Sequence, residues 1–147
     1  MKILHYSLGF PPYRSGGLTK CCTDLMYQQI CDGDQAAMLW PGEILCGKKT
    51  KIKQHKAING AESFEIINPN PVPYDEGIKE TSAFMKNGDY ACYDNFLKDW
   101  KPDVIHIHTL MGLHKNFLQA AKDRERPPFS NTGMLQAILS LTSGTQR

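Results

Sequence analysis

The sequence predicts an α/β protein, a parallel sheet with helices packed on it. Short apolar runs of strand length stand at residues 2–8, 36–40, 63–67 and 103–109. Apolar positions at helical spacing fill residues 17–32, 90–100 and 113–121. Proline or glycine stands at most of the junctions. Strand and helix patterns in alternation call for a sheet covered by helices.

The chain has 147 residues, enough for one domain with a real core. A hydrophobic content of 41% and a charged content of 22% are those of a soluble globular protein. A net charge of +2 is too small to point to nucleic acid, so no nucleic-acid partner is expected. No stretch approaches the roughly 18 apolar residues of a membrane span. Met1-Lys2 leads directly into the first apolar run, which argues against a secretory signal. The five cysteines are odd in number, and none forms a C-x-x-C pair. A reducing cytoplasm is therefore expected, with neither a disulfide framework nor a structural zinc.

Taken in order, residues 2–8 read as a strand buried on both faces. Leu18, Cys22, Leu25, Met26 and Ile30 then mark one face of a helix of about four turns, with Gly33 at its C-terminal cap. Cys22 at this spacing reads as core filling. Ala36–Trp40 is a second buried strand, closed by Pro41-Gly42. Strand, Gly-rich turn, helix and strand make a right-handed βαβ unit, so the sheet is expected to be Rossmann-like.

Between strand and helix lies Leu8–Lys20, LGFPPYRSGGLTK. Gly16-Gly17 permits positive φ and removes Cβ atoms where the first helical amides have no partner. Such a place suits a phosphate, although a tight turn alone would also use two glycines.

Residues 43–61 carry Lys48, Lys49, Lys51, Lys53, His55 and Lys56 without helical period. They read as a solvated loop or edge hairpin, or as a patch that attracts an anionic acceptor or a membrane surface. Ser63–Ile67 is a third strand. The alternate prolines after Asn68 forbid regular structure. Residues 75–88 suggest a weak helix or a loop. Tyr93, Phe96, Leu97 and Trp100 mark a helix stopped by Pro102.

Asp103–Thr109 alternates, with Val104, His106 and His108 on one face and Ile105 and Ile107 on the other. His108 and Thr109 stand at its carboxyl end, where open parallel sheets bind ligands. His106, inside the sheet, is expected to have its ring hydrogen-bonded. Two imidazoles on one strand face could share a metal, but only His5 and His114 offer further ligands, so none is expected. Leu113, Phe117, Leu118 and Ala121 mark the next helix. The tail, 124–147, matches no buried parallel strand, and Met134–Leu141 reads at most as a short helix.

MKILHYSLGFPPYRSGGLTK, a helix, a strand ending in MLWPG, and then WKPDVIHIHTLMGLH together resemble the N-terminal domain of retaining GT-B glycosyltransferases of the family-four type. The resemblance covers residues 1–123 and leaves 124–147 as an atypical tail. It implies the Rossmann-like acceptor-side half of an enzyme that moves a sugar from a nucleotide-diphosphate sugar to a glycan or lipid-linked acceptor, without metal or other cofactor. It further implies that Gly16 and Gly17 offer backbone amides to the donor diphosphate and Thr19 a hydroxyl. Arg14 would meet acceptor or phosphate charge, and His108 would be the catalytic-site imidazole that orients sugar or acceptor, with Thr109 beside it. The implied place is cytoplasmic, at the inner face of the membrane if the acceptor is a lipid.

Two features depart from the family pattern. No His follows His114, and the donor-binding domain does not appear. The composition change after Asp123 suggests truncation or an altered reading frame, and the chain alone is expected to be inactive. A different class remains open, a non-catalytic Rossmann- or flavodoxin-like module that binds phosphate or nucleotide. A dehydrogenase is disfavoured, because there is no G-x-G-x-x-G and no acid after Trp40 to hold a ribose.

Overall fold

The computed structural model describes residues 1–11, 16–45, 49–70 and 89–124, and the backbone of residues 136–139. In chain order the elements are β1 (Lys2–Tyr6), α1 (Gly17–Cys31), β2 (Gln35–Pro41), β3 (Lys51–Ile58), β4 (Ala61–Ile67), α2 (Tyr90–Trp100), β5 (Val104–Ile107), α3 (Lys115–Arg124) and β6 (Gln136–Leu139). The six strands form one sheet in the order β3-β4-β2-β1-β5-β6. All neighbours run parallel except β3, which is antiparallel to β4. The protein thus has a Rossmann-like α/β fold.

β1 lies near the middle of the sheet, and its two faces serve two cores. Leu4 and Tyr6 join Ala37, Leu39, Ile105 and Ile107 on one face, packed under Tyr93 and Leu97 of α2 and Phe117 and Ala121 of α3. On the other face Ala36 and Met38 meet Cys22 and Met26 of α1. Alternation along β1 sends His5 to this second face. The buried stripe of α1 is Thr19, Cys22, Thr23 and Met26, which keeps Cys22 and Met26 of the predicted apolar face and brings in the two threonines. Leu18 and Leu25 are only half-buried.

The helix ends follow their residues. Asp89 caps α2 by accepting the Cys92 N–H at 3.3 Å. Lys101 closes α2 in the left-handed region at φ 54°, and Pro102 prevents any continuation.

Of the readings of the lysine-rich stretch, the structure takes the edge hairpin: β3 is the edge of the sheet, joined to β4 by Asn59-Gly60 with φ values of 50° and 87°. An Asn-Gly pair with both residues at positive φ is the tight hairpin turn that suits strand twist. The edge strand needs to bury little, so its side chains carry no apolar alternation, and its exposed lysines discourage pairing with another chain. In the tail, residues 136–139 form β6, parallel to β5, where a short helix was expected. The open backbone edge of β5 supplies the hydrogen bonds that a four-residue strand needs, whatever its helical spacing. The 75–88 segment lies outside the described residues.

Candidate functional site

The carboxyl ends of β1 and β5 lie side by side. His5 and Tyr6 pair with His106 and Ile107, and the His108 N–H donates to Tyr6 O at 2.9 Å. Between β1 and α1 stands the Gly-Gly turn. Gly16 is the N-cap of α1 with φ 112° and ψ 173°, a conformation that favours glycine. Among the described residues no side chain caps this end, and the first turn has no acidic residue. No described atom lies within 4 Å of a Cβ built on Gly16 or Gly17. A groove of about 680 Å³ starts beside this helix end and runs along the flank of α1 past Asp24 and Tyr27 to Ile58. Gly16, Gly17 and Thr19 line it together with Pro11, Lys20 and Thr23. Lys20 is held at the rim by Asp24 at 2.7 Å.

Of the residues predicted for the site, Gly16, Gly17 and Thr19 share this groove. Arg14 lies outside the described residues. Thr109 stands just past β5, half-buried, and its Oγ1 accepts the Met111 N–H at 3.2 Å, which shapes the turn. His108 does not line the groove. It is buried to 4% exposure on the α1 face.

There His108 belongs to a three-imidazole cluster. Its ring stacks on His106 at 4.0 Å and on His5 at 5.2 Å between centroids. His5 Nδ1 lies 2.9 Å from His108 Nε2, and His5 Nε2 lies 2.7 Å from Gln29 Oε1. The amide oxygen can only accept, so His5 carries its proton on Nε2 and presents the Nδ1 lone pair to His108. Burial pulls His5 down to about 4 and His108 down to about 3, with neighbouring histidines adding to the shift. Burial also lowers His106. All three rings are therefore neutral at pH 7.

The expected hydrogen bond of the His106 ring is not found. Its Nε2 is buried without a partner among the described residues. The neighbouring His5 cannot help, because both its nitrogens are engaged. His114 is on the other side of the sheet, where its Nδ1 lies 2.5 Å from the Tyr93 hydroxyl. A different third donor comes from α1. His5, Cys22 and His108 each bring one ligand-type atom within 4.8 Å of the others. Helical spacing assigned Cys22 to the core, and nothing in a sequence places that helix face over His108.

A second cavity, of about 610 Å³, opens at the carboxyl ends of β2 and β4. Trp40 and His55 form a stacked pair at 5.6 Å over it. Glu65, only 6% exposed, accepts the Glu43 N–H at 3.0 Å and pairs with His55 Nε2 at 2.7 Å. Trp40 Nε1 donates to Ser63 Oγ at 3.2 Å. An aromatic face beside a carboxylate suits a ligand with both apolar C–H faces and hydroxyls. No motif along the chain marks these residues as a site. Their one signal is Glu65, a carboxylate at an inward position of an apolar strand.

No family model matches the chain, and no curated protein matches it. Among the described residues no helix is long and apolar enough to cross a membrane. Lys49, Lys51, Lys53 and Lys56 are exposed on and beside β3.

Proposed function

We propose that the chain is the acceptor-side half of a retaining GT-B glycosyltransferase, which moves a hexose from a nucleotide-diphosphate sugar to a glycan or lipid-linked acceptor. One observation carries the reading. The Gly16-Gly17 helix start follows β1, and His108 follows β5, its hydrogen-bonded neighbour. Both features therefore stand at the carboxyl edge, where open parallel sheets hold ligands.

In this reading the α1 amides and helix dipole stabilise the negative charge that builds on the leaving diphosphate, a contribution that needs no metal. A second Rossmann-like half supplies the rest of the donor site. The cavity at Trp40 and Glu65 takes the acceptor sugar, with the indole against a sugar face and the carboxylate on a hydroxyl. The lysines of β3 draw in an anionic acceptor, including a lipid-linked one at a membrane surface.

The groove at Gly16-Gly17 also favours a second reading, a stand-alone module that binds a phosphorylated ligand. Calorimetric titration with a panel of nucleotide sugars, followed by a transferase assay with a donor half added, separates the two. The glycosyltransferase reading expects weak nucleotide-sugar binding and no turnover by the chain alone, then retained-configuration product once a donor half is joined. Tight binding of a nucleotide or phosphorylated ligand by the chain alone, with no transfer after the donor half is joined, favours the module.

A further inference from the structure

We infer that His5, Cys22 and His108 form a binding site for one zinc-like divalent cation, beneath the carboxyl ends of β1 and β5. The three donors come from separate elements, β1, α1 and the end of β5, and all three residues are buried. Two imidazoles and one thiolate are donors that zinc favours.

The spacing fits with small adjustments. Tetrahedral zinc, with bonds of about 2.0–2.3 Å, sets its ligand atoms about 3.3–3.6 Å apart. His5 Nδ1 and His108 Nε2 lie 2.9 Å apart, so they must open slightly, while the sulfur, within 4.8 Å, draws in. The ion replaces the hydrogen bond that now joins the two rings. His108 then moves its proton to Nδ1, and the Cys22 thiol releases its proton to solvent as the metal–sulfur bond forms.

The surroundings are those of a ligand site. Gln29 Oε1 fixes His5 with its Nδ1 lone pair turned inward, the role that outer partners play around metal-bound histidines. Ser7 Oγ is fully buried without a hydrogen-bond partner among the described residues, and it lies beside the Cys22 sulfur; burial pushes that thiol up to about 12, and the Ser7 hydroxyl offsets only part of the rise. A buried hydroxyl in that state is costly, and a thiolate held by a cation would satisfy it. Three protein donors leave a fourth position on the ion, as in zinc sites that hold a water. The site holds His108 rigid at the ligand edge whichever substrate that edge takes.

The test is cobalt(II) uptake by the full chain, followed by displacement with zinc. The expected result is one ion per chain, with thiolate-to-cobalt charge-transfer absorption that zinc abolishes. Cys22→Ala should remove that absorption, while Cys21→Ala, a change at an exposed thiol, should keep it. His108→Gln should weaken cobalt binding at least tenfold with the circular dichroism spectrum unchanged. Absence of cobalt binding by the folded wild-type chain would overturn the inference. So would the same charge-transfer band in Cys22→Ala, which would locate the metal on other cysteines.

Discussion

His5 and His108 meet Nδ1 to Nε2 at 2.9 Å across two adjacent parallel strands, in a position from which water is excluded. Both rings are neutral in the folded protein because burial penalises the imidazolium. Acid must therefore act against the fold. The unfolded chain takes up protons near the usual 6.5, while folded His5 waits until about 4. The stability this group contributes is complete above about pH 6.5 and is lost as the pH falls towards 4, on the order of 3 kcal/mol for His5, with His108 acting in the same direction. Urea midpoints measured with a chelator present should fall between pH 7 and pH 4.5, and His5→Phe should flatten the curve. A wild-type midpoint that is constant over this range would refute the account.

Gly16 and Gly17 separate by conformation. Gly16 has φ 112°, whereas Gly17 is already in the helix and has no described atom in its way. Gly16→Ala should lose about 1–3 kcal/mol. Gly17→Ala should stay within about 0.5 kcal/mol of the wild type. Thermal melting of the two variants decides the matter, and equal losses would contradict the assigned geometry.

Gly112 is constrained twice. Its φ is 75°, and a Cβ there would come within 2.8 Å of Pro41 Cβ and 3.1 Å of the Tyr6 hydroxyl. That hydroxyl donates to Met111 O at 2.7 Å and is buried under the sheet end. Gly112→Ala should therefore destabilise by at least about 2 kcal/mol. Gly60 also has positive φ, but its Cβ would make an ordinary 3.5 Å contact with Ile30. Gly60→Ala should lose only the conformational part, about 1 kcal/mol. Urea unfolding compares them, and Gly60→Ala as the more damaging change would count against the close approach.

The β3 edge is guarded by charge. Lys51, Lys53 and Lys56 are exposed along a strand whose outer backbone groups have no neighbouring strand among the described residues. Replacing all three by Thr keeps β propensity and removes the repulsion between copies. Sedimentation velocity should then show self-association that the wild type lacks. A triple variant with the wild-type sedimentation coefficient would show that the lysines do not serve this purpose.

Much of the architecture could be read from residue patterns, because burial leaves a period. The β1–α1–β2 unit, α2, β5 and α3 all occur where apolar spacing and Pro or Gly punctuation put them. β3 was legible only as a loop or an edge hairpin, because an edge strand hides few side chains, although Asn59-Gly60 marks its turn. β6 escaped because its place depends on the open edge of β5 more than on its own residues. The site divides the same way. Gly16-Gly17 and His108 stand out by their local setting at strand ends. Cys22, Trp40 and Glu65 acquire meaning only from neighbours brought in by the fold, and no spacing along the chain encodes those contacts.

The central place of β1 has a consequence for how the protein is made. β1 leaves the ribosome before its sheet neighbours, and β2 soon joins one of its edges. Its other edge waits for β5, since His5 and His108 are 103 residues apart. At synthesis rates of roughly 5–20 residues per second, that wait is about 5–20 s. For that time the nascent chain shows an apolar strand edge to every other chain around it. Pauses in translating the codons between His5 and His108 lengthen that exposure and favour aggregation over folding.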